Sequence, residues 1–386
     1  MTNFYELEEP TRWAGPPENF SFSSLQAISS CPRRWQLLNS EWGEYARFPQ
    51  RLQPKALEGT IVHEAIELLV RALGKRGLPS IGSDAFREAL SEIDFWGHFA
   101  RESEGWNRRL AQHPRMGPFF HLKTPARELA NRAIRLFREQ YEPLDSGERI
   151  PITPKEVQVG NLDFLKLVET RGAISEVRLE HPDLPFLGII DMVELKNDGI
   201  KLTEFKTGKP KEEHQLQLKL YAVLWWRTTG NLPTLLSLQY MNDCKDTPVS
   251  ASGLVTAEKH LAESINESRR VLSFKPAEAR PASECGYCPV RARCTVGWQA
   301  HQARIRHMMS DTTDVALTVV NEPAATGFSA DLDGREVSVV FEAGVGKQLI
   351  RIEVSDHLRL VDVLVRDEGK TFEIRPWTEV YRASSR

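Results

Sequence analysis

The chain has 386 residues, of which 50 are Lys or Arg and 53 are Asp or Glu, so its formal net charge is −3. This near balance excludes a protein that coats nucleic acid by charge alone, and any contact with nucleic acid must be made by a local groove. The length, with 41% hydrophobic residues, is typical of a globular chain of two or three domains.

Helical patterns dominate the first 150 residues. Apolar residues at helical spacing predict helices over residues 58–73 and 124–141. The predicted buried stripe of the second helix is Ala130, Ala133, Ile134 and Phe137. Its opposite face carries four arginines, which form either a solvated surface or one that faces phosphate: Arg127, Arg132, Arg135 and Arg138.

Between residues 174 and 309 the pattern changes to strand, strand, helix, strand, helix. Two short apolar runs, 186–195 and 200–207, flank Asn197-Asp198-Gly199, a sequence typical of a β-hairpin turn. The remaining predicted elements are a helix at 211–228, a buried strand at 235–241 and a helix at 256–272.

From about residue 313 onward the apolar runs are short and strand-like. They lie at 336–341, 349–354, 358–365 and 371–374, and strands at this spacing predict a small barrel or sandwich. Residues 311–386 contain 9 basic and 14 acidic residues, a net charge of −5. This charge argues against phosphate affinity over the whole surface of the segment, so contact with protein or packing within the chain is an equal alternative.

The second strand of the hairpin carries Glu204-Phe205-Lys206, an acid-x-Lys triplet of the kind found in the active sites of many metal-dependent nucleases. The triplet alone is not specific, because two others occur at Glu194-Leu-Lys196 and Asp243-Cys-Lys245. An ordinary ion pair on a strand face is therefore the alternative interpretation of the triplet.

Strand geometry distinguishes the first triplet from the others. Residues two apart in a strand share a face. A turn at Asn197-Asp198 sets Asp191 opposite Glu204, and a turn at Asp198-Gly199 sets it opposite Lys206. Asp191 lies in an apolar run, where an unpaired carboxylate is costly unless it binds a cation. We therefore predict a site for Mg²⁺ or Mn²⁺ formed by two carboxylates beside a lysine.

Five cysteines, an odd number, and an acidic N-terminus without the features of a signal peptide argue against a disulfide framework. No apolar run approaches the roughly 20 residues that cross a bilayer. These observations predict a cytoplasmic protein without a membrane partner.

Three of the cysteines form a C-x2-C-x5-C run, Cys285, Cys288 and Cys294, and Cys31 supplies a fourth thiol. Four thiolates suit either structural zinc or a cubane iron–sulfur cluster that staples the two ends of a domain together. Four unrelated buried cysteines are the alternative. Cys244 fits no ligand spacing and is expected to be a small core residue.

Taken together, these motifs resemble those of the RecB-like branch of the PD-(D/E)XK nucleases. The resemblance is to members with an iron–sulfur cluster, such as the CRISPR-associated adaptation nuclease and the nuclease domain of AddB. It covers about residues 20–300. The six motifs, in order, are residues 21–35 around Cys31, Gly59-Thr-Ile-Val-His63, Gly188-Ile-Ile-Asp191, Glu204-Phe-Lys206, Gln217-Leu-Lys-Leu-Tyr221 and the three-cysteine run.

The resemblance implies a restriction-endonuclease-like α/β core and assigns roles around a divalent metal. It makes His63, Asp191 and Glu204 the ligands of Mg²⁺ or Mn²⁺. Lys206 would stabilise the attacking hydroxide and the charge that develops on phosphate. The assignment of His63 rests on the resemblance, because a single histidine in a helix is more often a core residue.

The resemblance also assigns a role to one face of a helix, and it implies a second cofactor. Gln217 and Tyr221, four residues apart and so on one face of a helix, would position DNA and the lysine. The four cysteines would bind a 4Fe-4S cluster, with Zn²⁺ as the lesser alternative.

Two segments depart from the compact members of that family. A helical insertion extends over about residues 74–154, and the tail from residue 310 is not typical of them. We expect a domain over residues 1–309 and a small all-β domain over 310–386, whose strands resemble an oligonucleotide-binding (OB) barrel.

The sequence therefore predicts a Mg²⁺- or Mn²⁺-dependent deoxyribonuclease that acts on single-stranded DNA or free ends, in DNA repair, CRISPR adaptation or phage defence. Gly344-Val-Gly-Lys347 is followed by Gln, so no phosphate-binding loop of a motor is present and a separate helicase would have to assist processive cleavage. The alternatives are a cluster-stapled, non-catalytic DNA-binding subunit of a helicase–nuclease complex and a zinc-stapled interaction protein.

Overall fold

The structure is a computed structural model that describes residues 3–43, 45–113, 115–116, 120–141, 164–240, 243–305, 311–343, 345, 349 and 351–383. Parts of the predicted helical insertion, residues 114, 117–119 and 142–154, lie outside this description. In the described ranges, no helix has both the length and the apolarity to cross a membrane. The chain forms helices and two sheets.

The first sheet has five strands in the order β2-β3-β4-β5-β6. Its strands are β2 (Ala173–Glu180), β3 (Leu187–Lys196), β4 (Gly199–Lys206), β5 (Leu235–Tyr240) and β6 (Cys244–Pro248). Only β4 and β5 pair in parallel. A parallel pair needs a crossover, and here it is helix α8 (Glu212–Thr229).

The β3–β4 hairpin forms where the Asn-Asp-Gly signal predicts it. Lys196 pairs with Gly199, so the tight turn is Asn197-Asp198. Continuing the ladder from the Met192–Thr203 pair sets Asp191 opposite Glu204, one of the two predicted registers. Gly199 is required at this point, because it has φ +132° and a Cβ there would lie 2.5 Å from the Thr234 side chain.

Helices cover both faces of this sheet. One face packs against α1 (Phe22–Ser30), α8 and α9 (Ala251–Leu272), and the other packs against the four helices α3–α6. The remaining helices are α2 (Pro32–Asn39), α3 (Pro54–Gly74), α4 (Asp84–Glu92), α5 (Phe95–Gln112), α6 (Ala126–Gln140), α7 (Phe164–Arg171) and α10 (Thr295–Ile305). The predicted helices at 58–73 and 124–141 correspond to α3 and α6 and are confirmed. In α6, Ala130, Ala133 and Phe137 are buried as predicted, and Ile134 is partly buried.

The second sheet has seven strands in the order β1-β12-β10-β11-β9-β8-β7, and an additional pairing of β10 with β7 closes five of them into a barrel. The strands are β1 (Asn3–Leu7), β7 (Thr312–Val319), β8 (Gly327–Leu332), β9 (Arg335–Phe341), β10 (His357–Arg366), β11 (Thr371–Ile374) and β12 (Glu379–Ala383). The pairs β1/β12 and β9/β11 are parallel.

The predicted strand at residues 349–354 is wrong over residues 351–354, which lie in turns and irregular structure; residue 350 is outside the described ranges. Leu349 and Ile352 are buried in the barrel core. The apolar residues of this segment therefore fill the core of the barrel and do not form one of its strands. Alternation of apolar and polar residues alone does not distinguish these two structures.

Buried ion pairs join the barrel to the part of the chain that contains the five-stranded sheet and its helices. Arg115, which follows α5, donates two hydrogen bonds of 2.8 and 2.9 Å to the Glu379 carboxylate of β12, and both side chains are 1% exposed. Arg291, in the cysteine segment, donates to the buried Asp314 of β7 and, at 3.0 Å, to Asp362 of β10. The barrel is thus attached at the segment that carries three of the cysteines.

Candidate functional site

Asp191 and Glu204 lie opposite each other in the β3–β4 hairpin, and both line one cavity. Asp191 Oδ2 accepts a 2.8 Å hydrogen bond from the backbone N–H of Phe205. The side chain of Phe205 is buried in the core beneath helices α3–α6. The backbone of β4 thereby orients the Asp191 carboxylate, and the buried phenylalanine anchors that backbone.

His63 reaches the same point from helix α3. Its Nδ1 atom lies 3.4 Å from Asp191 Oδ2. Burial alone would lower the pKa of His63, but the charge and hydrogen bond of Asp191, with Glu204, raise it above its ordinary value. The structure thus brings together the three residues that the family resemblance assigns to a metal.

Lys206, Gln217 and Tyr221 form a hydrogen-bonded chain around Glu204. Lys206 Nζ lies 2.7 Å from Glu204 Oε1 and donates to Gln217 Oε1 at 2.9 Å. The Gln217 amide nitrogen donates to Glu204 Oε1 and to the Tyr221 hydroxyl, both at 2.9 Å. Helix α8 therefore fixes the position of the lysine through its glutamine.

Glu204 is the most deeply buried member of this group, at 4% exposure. Burial, followed by the charge of Asp191, raises its pKa to about 8, although Lys206 and His63 act in the opposite direction. Its Oε2 atom is buried and has no hydrogen-bond partner among the described residues. A buried carboxylate oxygen without a donor fits a bound cation, which would supply the missing positive charge.

The donor set of one imidazole and two carboxylates also fits a hard divalent ion. No ready-made group of three His, Cys, Asp or Glu ligands is found in the described ranges. In this arrangement His63 contacts Asp191 and Lys206 contacts Glu204. Metal binding would replace these contacts with bonds from the imidazole and the carboxylates to the ion.

Three further glutamates line the same cavity of about 630 Å³ and were missed by sequence reasoning: Glu64, Glu67 and Glu176. The pairs Ser175–Met192 and Val177–Ile190 set Glu176 opposite Asp191, and its backbone is left-handed with φ +49°. Burial, with Asp191 and Glu67, raises the pKa of Glu176 to about 7. A sequence pattern could have pointed to Glu176, because it lies between apolar residues in β2, the strand that precedes the hairpin. That strand was not predicted.

The four cysteines of the predicted ligand set converge although Cys31 lies far from the others in sequence. Cys31, Cys285, Cys288 and Cys294 line one small cavity. A Cβ built on Gly297 at its wall would lie 3.3 and 3.5 Å from the sulfurs of Cys294 and Cys285. Burial raises the pKa of Cys288 to about 11 and raises that of Cys294. Four converging thiols fit a metal or cluster that holds them as thiolates.

Cys244 corrects an expectation, since it is exposed on the edge strand β6 and is not a core residue. It lies outside the cavity that the other four cysteines line. This separation makes it a natural internal control for experiments on the cysteines.

Three solved structures with which the chain aligns show distant similarity. The chain aligns with tetrameric p202 HIN2 at 12% identity, covering 18% of this chain and only 40% of that one, with a TM-score of 0.16. SSO0001 aligns at 13% identity over 63% of this chain and 96% of that one, TM-score 0.24. A murine DNA-binding protein bound to double-stranded DNA aligns at 9% identity over 55% and 95%, TM-score 0.17. Values this low support no conclusion about fold or function.

No curated protein matches the chain. The family model described as the PD-(D/E)XK nuclease superfamily, however, matches residues 19–295. The match begins before Cys31, includes the hairpin and α8, and ends just after Cys294. It covers well over half of the chain, and we conclude that the chain belongs to the PD-(D/E)XK nuclease superfamily.

Proposed function

We propose that the protein is a metal-dependent DNA nuclease of the RecB-like type that hydrolyses phosphodiester bonds. The observation that carries this proposal is that His63, Asp191 and Glu204 line one cavity while Lys206 contacts Glu204, in a chain of a superfamily whose members are generally nucleases. Glu194 also forms ion pairs, with Lys196 and Lys201, but unlike Glu204 it does not line this cavity, so the ordinary ion-pair interpretation suits its triplet better.

In this proposal His63, Asp191 and Glu204 hold Mg²⁺ or Mn²⁺. When bound, the ion would polarise the phosphodiester and make water more acidic. Lys206, held by Gln217, places a positive charge where negative charge develops on the phosphate. Tyr221 fixes the rotamer of Gln217, so it acts on the reaction through the lysine.

The cysteine cavity supports a 4Fe-4S cluster on Cys31, Cys285, Cys288 and Cys294, with Zn²⁺ as the alternative. The proposed role is structural, because the ligands join the segment before α2 to the segment before α10. The closed five-stranded barrel supports an OB-type domain at the C-terminal end of the chain. We propose single-stranded DNA or DNA ends as substrate, with strand separation left to a separate helicase.

The test is cleavage of end-labelled single- and double-stranded DNA by anaerobically purified protein with Mg²⁺ or Mn²⁺. Cleavage that disappears in both Asp191→Ala and Lys206→Ala would support the nuclease. Absence of cleavage by cluster-loaded wild type, with DNA binding intact, would favour the non-catalytic binding subunit.

A further inference from the structure

A histidine in the first turn of α8 is attached to the end of strand β5, beside the proposed catalytic lysine. His214 Nδ1 lies 2.9 Å from the hydroxyl oxygen of Tyr240. In the parallel ladder of β4 and β5, Tyr240 is the register partner of Lys206. The two residues therefore end neighbouring strands on the same edge of the sheet. None of the six motifs of the sequence includes His214 or Tyr240.

His214 extends a row of polar groups that already serves the site. His214, Gln217 and Tyr221 are spaced i, i+3 and i+7, which places them on one face of α8. Gln217 contacts both Lys206 and Glu204, and Tyr221 contacts Gln217. His214 is one turn closer to the start of the helix and, like Gln217, is half-buried.

The hydrogen bonds leave the outer nitrogen of His214 as a donor. A tyrosine hydroxyl keeps its proton at neutral pH, and burial raises the pKa of Tyr240 further. That proton is available to His214 Nδ1, and the imidazole proton then resides on Nε2. In the described part of the chain, Nε2 of His214 has no hydrogen-bond partner.

The charges around His214 favour an anion. Burial and then Lys206 lower the pKa of His214, with Lys211 acting in the same direction and Glu213 in the opposite one. Glu213 itself is paired with Lys211 at 3.1 Å. The helix also begins without a side-chain cap, so its positive end adds to the same potential, against which Glu212 acts from the first turn.

We propose that His214 binds the nucleic acid by donating from Nε2 to a non-bridging oxygen of the phosphate next to the scissile one, and that Tyr240 is the positioning residue that orients the imidazole. The inference rests on the proposed function, because it takes the scissile phosphate to lie at Lys206. It adds a second, uncharged phosphate contact and so defines the path of the strand across the start of α8.

The first test compares steady-state cleavage by wild type and His214→Ala. Since the contact exists in both the bound substrate and the transition state, KM should rise about tenfold while kcat stays within about twofold. Tyr240→Phe should raise KM about threefold, because the ring remains but is no longer oriented, and it should add nothing in the His214→Ala background. His260→Ala is the matched control and should match wild type, because His260 is an exposed histidine of α9 that pairs with Glu263.

A modified substrate identifies the phosphate. A methylphosphonate at each position in turn removes the charged oxygen, and one position beside the scissile bond should weaken the wild type but not His214→Ala. An equal loss in both proteins at every position would overturn the proposal. So would an unchanged KM in His214→Ala, or a fall in melting temperature as its only effect.

Binding in Ca²⁺ separates this inference from the proposed function. If wild type does not cleave, the proposed nuclease activity fails, and fluorescence anisotropy with a fluorescein-labelled oligothymidine then tests the contact alone. Binding about tenfold weaker in His214→Ala would support the phosphate contact without catalysis. Equal binding by the two proteins would overturn it.

Discussion

The backbone N–H of Phe205 donates a hydrogen bond of 2.8 Å to the Asp191 carboxylate across the hairpin. Because the donor belongs to the main chain, no substitution at Phe205 other than proline removes it. The pairing of β3 with β4 thus sets the position of the Asp191 carboxylate. A substitution that removes its charge can therefore keep its hydrogen bond and its position.

Asp191→Asn uses this relationship. The amide oxygen of the asparagine still accepts from Phe205, so we expect a melting temperature within about 2 °C of wild type. The loss of a carboxylate charge should lower Mg²⁺-dependent cleavage at least about a hundredfold. Cleavage rates and thermal unfolding check the two parts, with the exposed turn variant Asp198→Asn as control. Cleavage by Asp191→Asn at the wild-type rate would exclude Asp191 as a metal ligand.

Gly188→Ala should disturb the site through Tyr221. A Cβ at Gly188 would lie 2.6 Å from Tyr221 Cε1 and 2.8 Å from Leu224, so the ring must move and its hydrogen bond with Gln217 weakens. We expect a loss of about 1–3 kcal/mol in the free energy of unfolding and slower cleavage.

Gly208→Ala is the matched control, because no atom lies within 4 Å of a Cβ there. Denaturant titration of both variants measures the difference. Equal stability of the two would mean that Tyr221 is not held against the β3 backbone as described.

Cys288→Ser tests the proposed cluster. Removal of one of the four thiols that line the cavity should abolish the brown colour of anaerobically purified protein and reduce iron and acid-labile sulfide. Cys244→Ser, outside the cavity and exposed, should retain both. Colourless wild type that contains stoichiometric zinc would replace the iron–sulfur assignment with zinc, and equal metal content in both variants would refute a metal at these cysteines.

Acid should weaken the attachment of the barrel through Asp314. Burial alone would raise the pKa of this carboxyl, but hydrogen bonds from His301 and Arg291 and the charge of Arg291 lower it from 3.8 to about 2. Because this pKa is lowered, the ionised Asp314 carboxylate stabilises the fold at pH values above its ordinary pKa. This contribution disappears as the pH falls from about 4 through about 2. The shift corresponds to roughly 2 kcal/mol.

Asp314→Asn should therefore lower the free energy of unfolding by at least roughly 2 kcal/mol at pH 7 and flatten its dependence on pH between about 4 and 2. Urea titrations at several pH values check this, with Glu336→Gln, an exposed carboxylate of β9, as control. Parallel pH profiles for wild type and Asp314→Asn would contradict the assignment.

The local parts of the site could be predicted because short-range rules decide them. The Asn-Asp-Gly turn fixes the hairpin, and strand alternation then places Glu204 and Lys206 on one side with Asp191 opposite. The convergence of Cys31 with Cys285 is different, because it depends on how distant segments fold together. The count of thiols and the family resemblance suggested that convergence, but only the packing of the segments before α2 and α10 produces it.

Other features could not be read from periodicity. Glu176 lines the cavity and itself has a left-handed backbone within β2. No pattern of alternating apolar and polar residues predicts such a local conformation. Ile352 is as apolar as a strand residue but fills the barrel core. Cys244 was assigned to the core by its residue type alone, whereas an edge strand exposes it. In each case the tertiary surroundings decide, and they involve residues far away in sequence.

The parallel pairing of β1 with β12 links the order of synthesis to the completion of the fold. Residues 3–7 are synthesised before every other strand of their sheet, and residues 379–383 after all of them. Until then the backbone groups of β1 that bond to β12 lack their partners, and the ring of Tyr5 lacks one neighbour, the ring of Tyr381 at 5.1 Å. The five-stranded sheet with its hairpin can form during this interval, so the first strand of the chain is among the last to reach its native place.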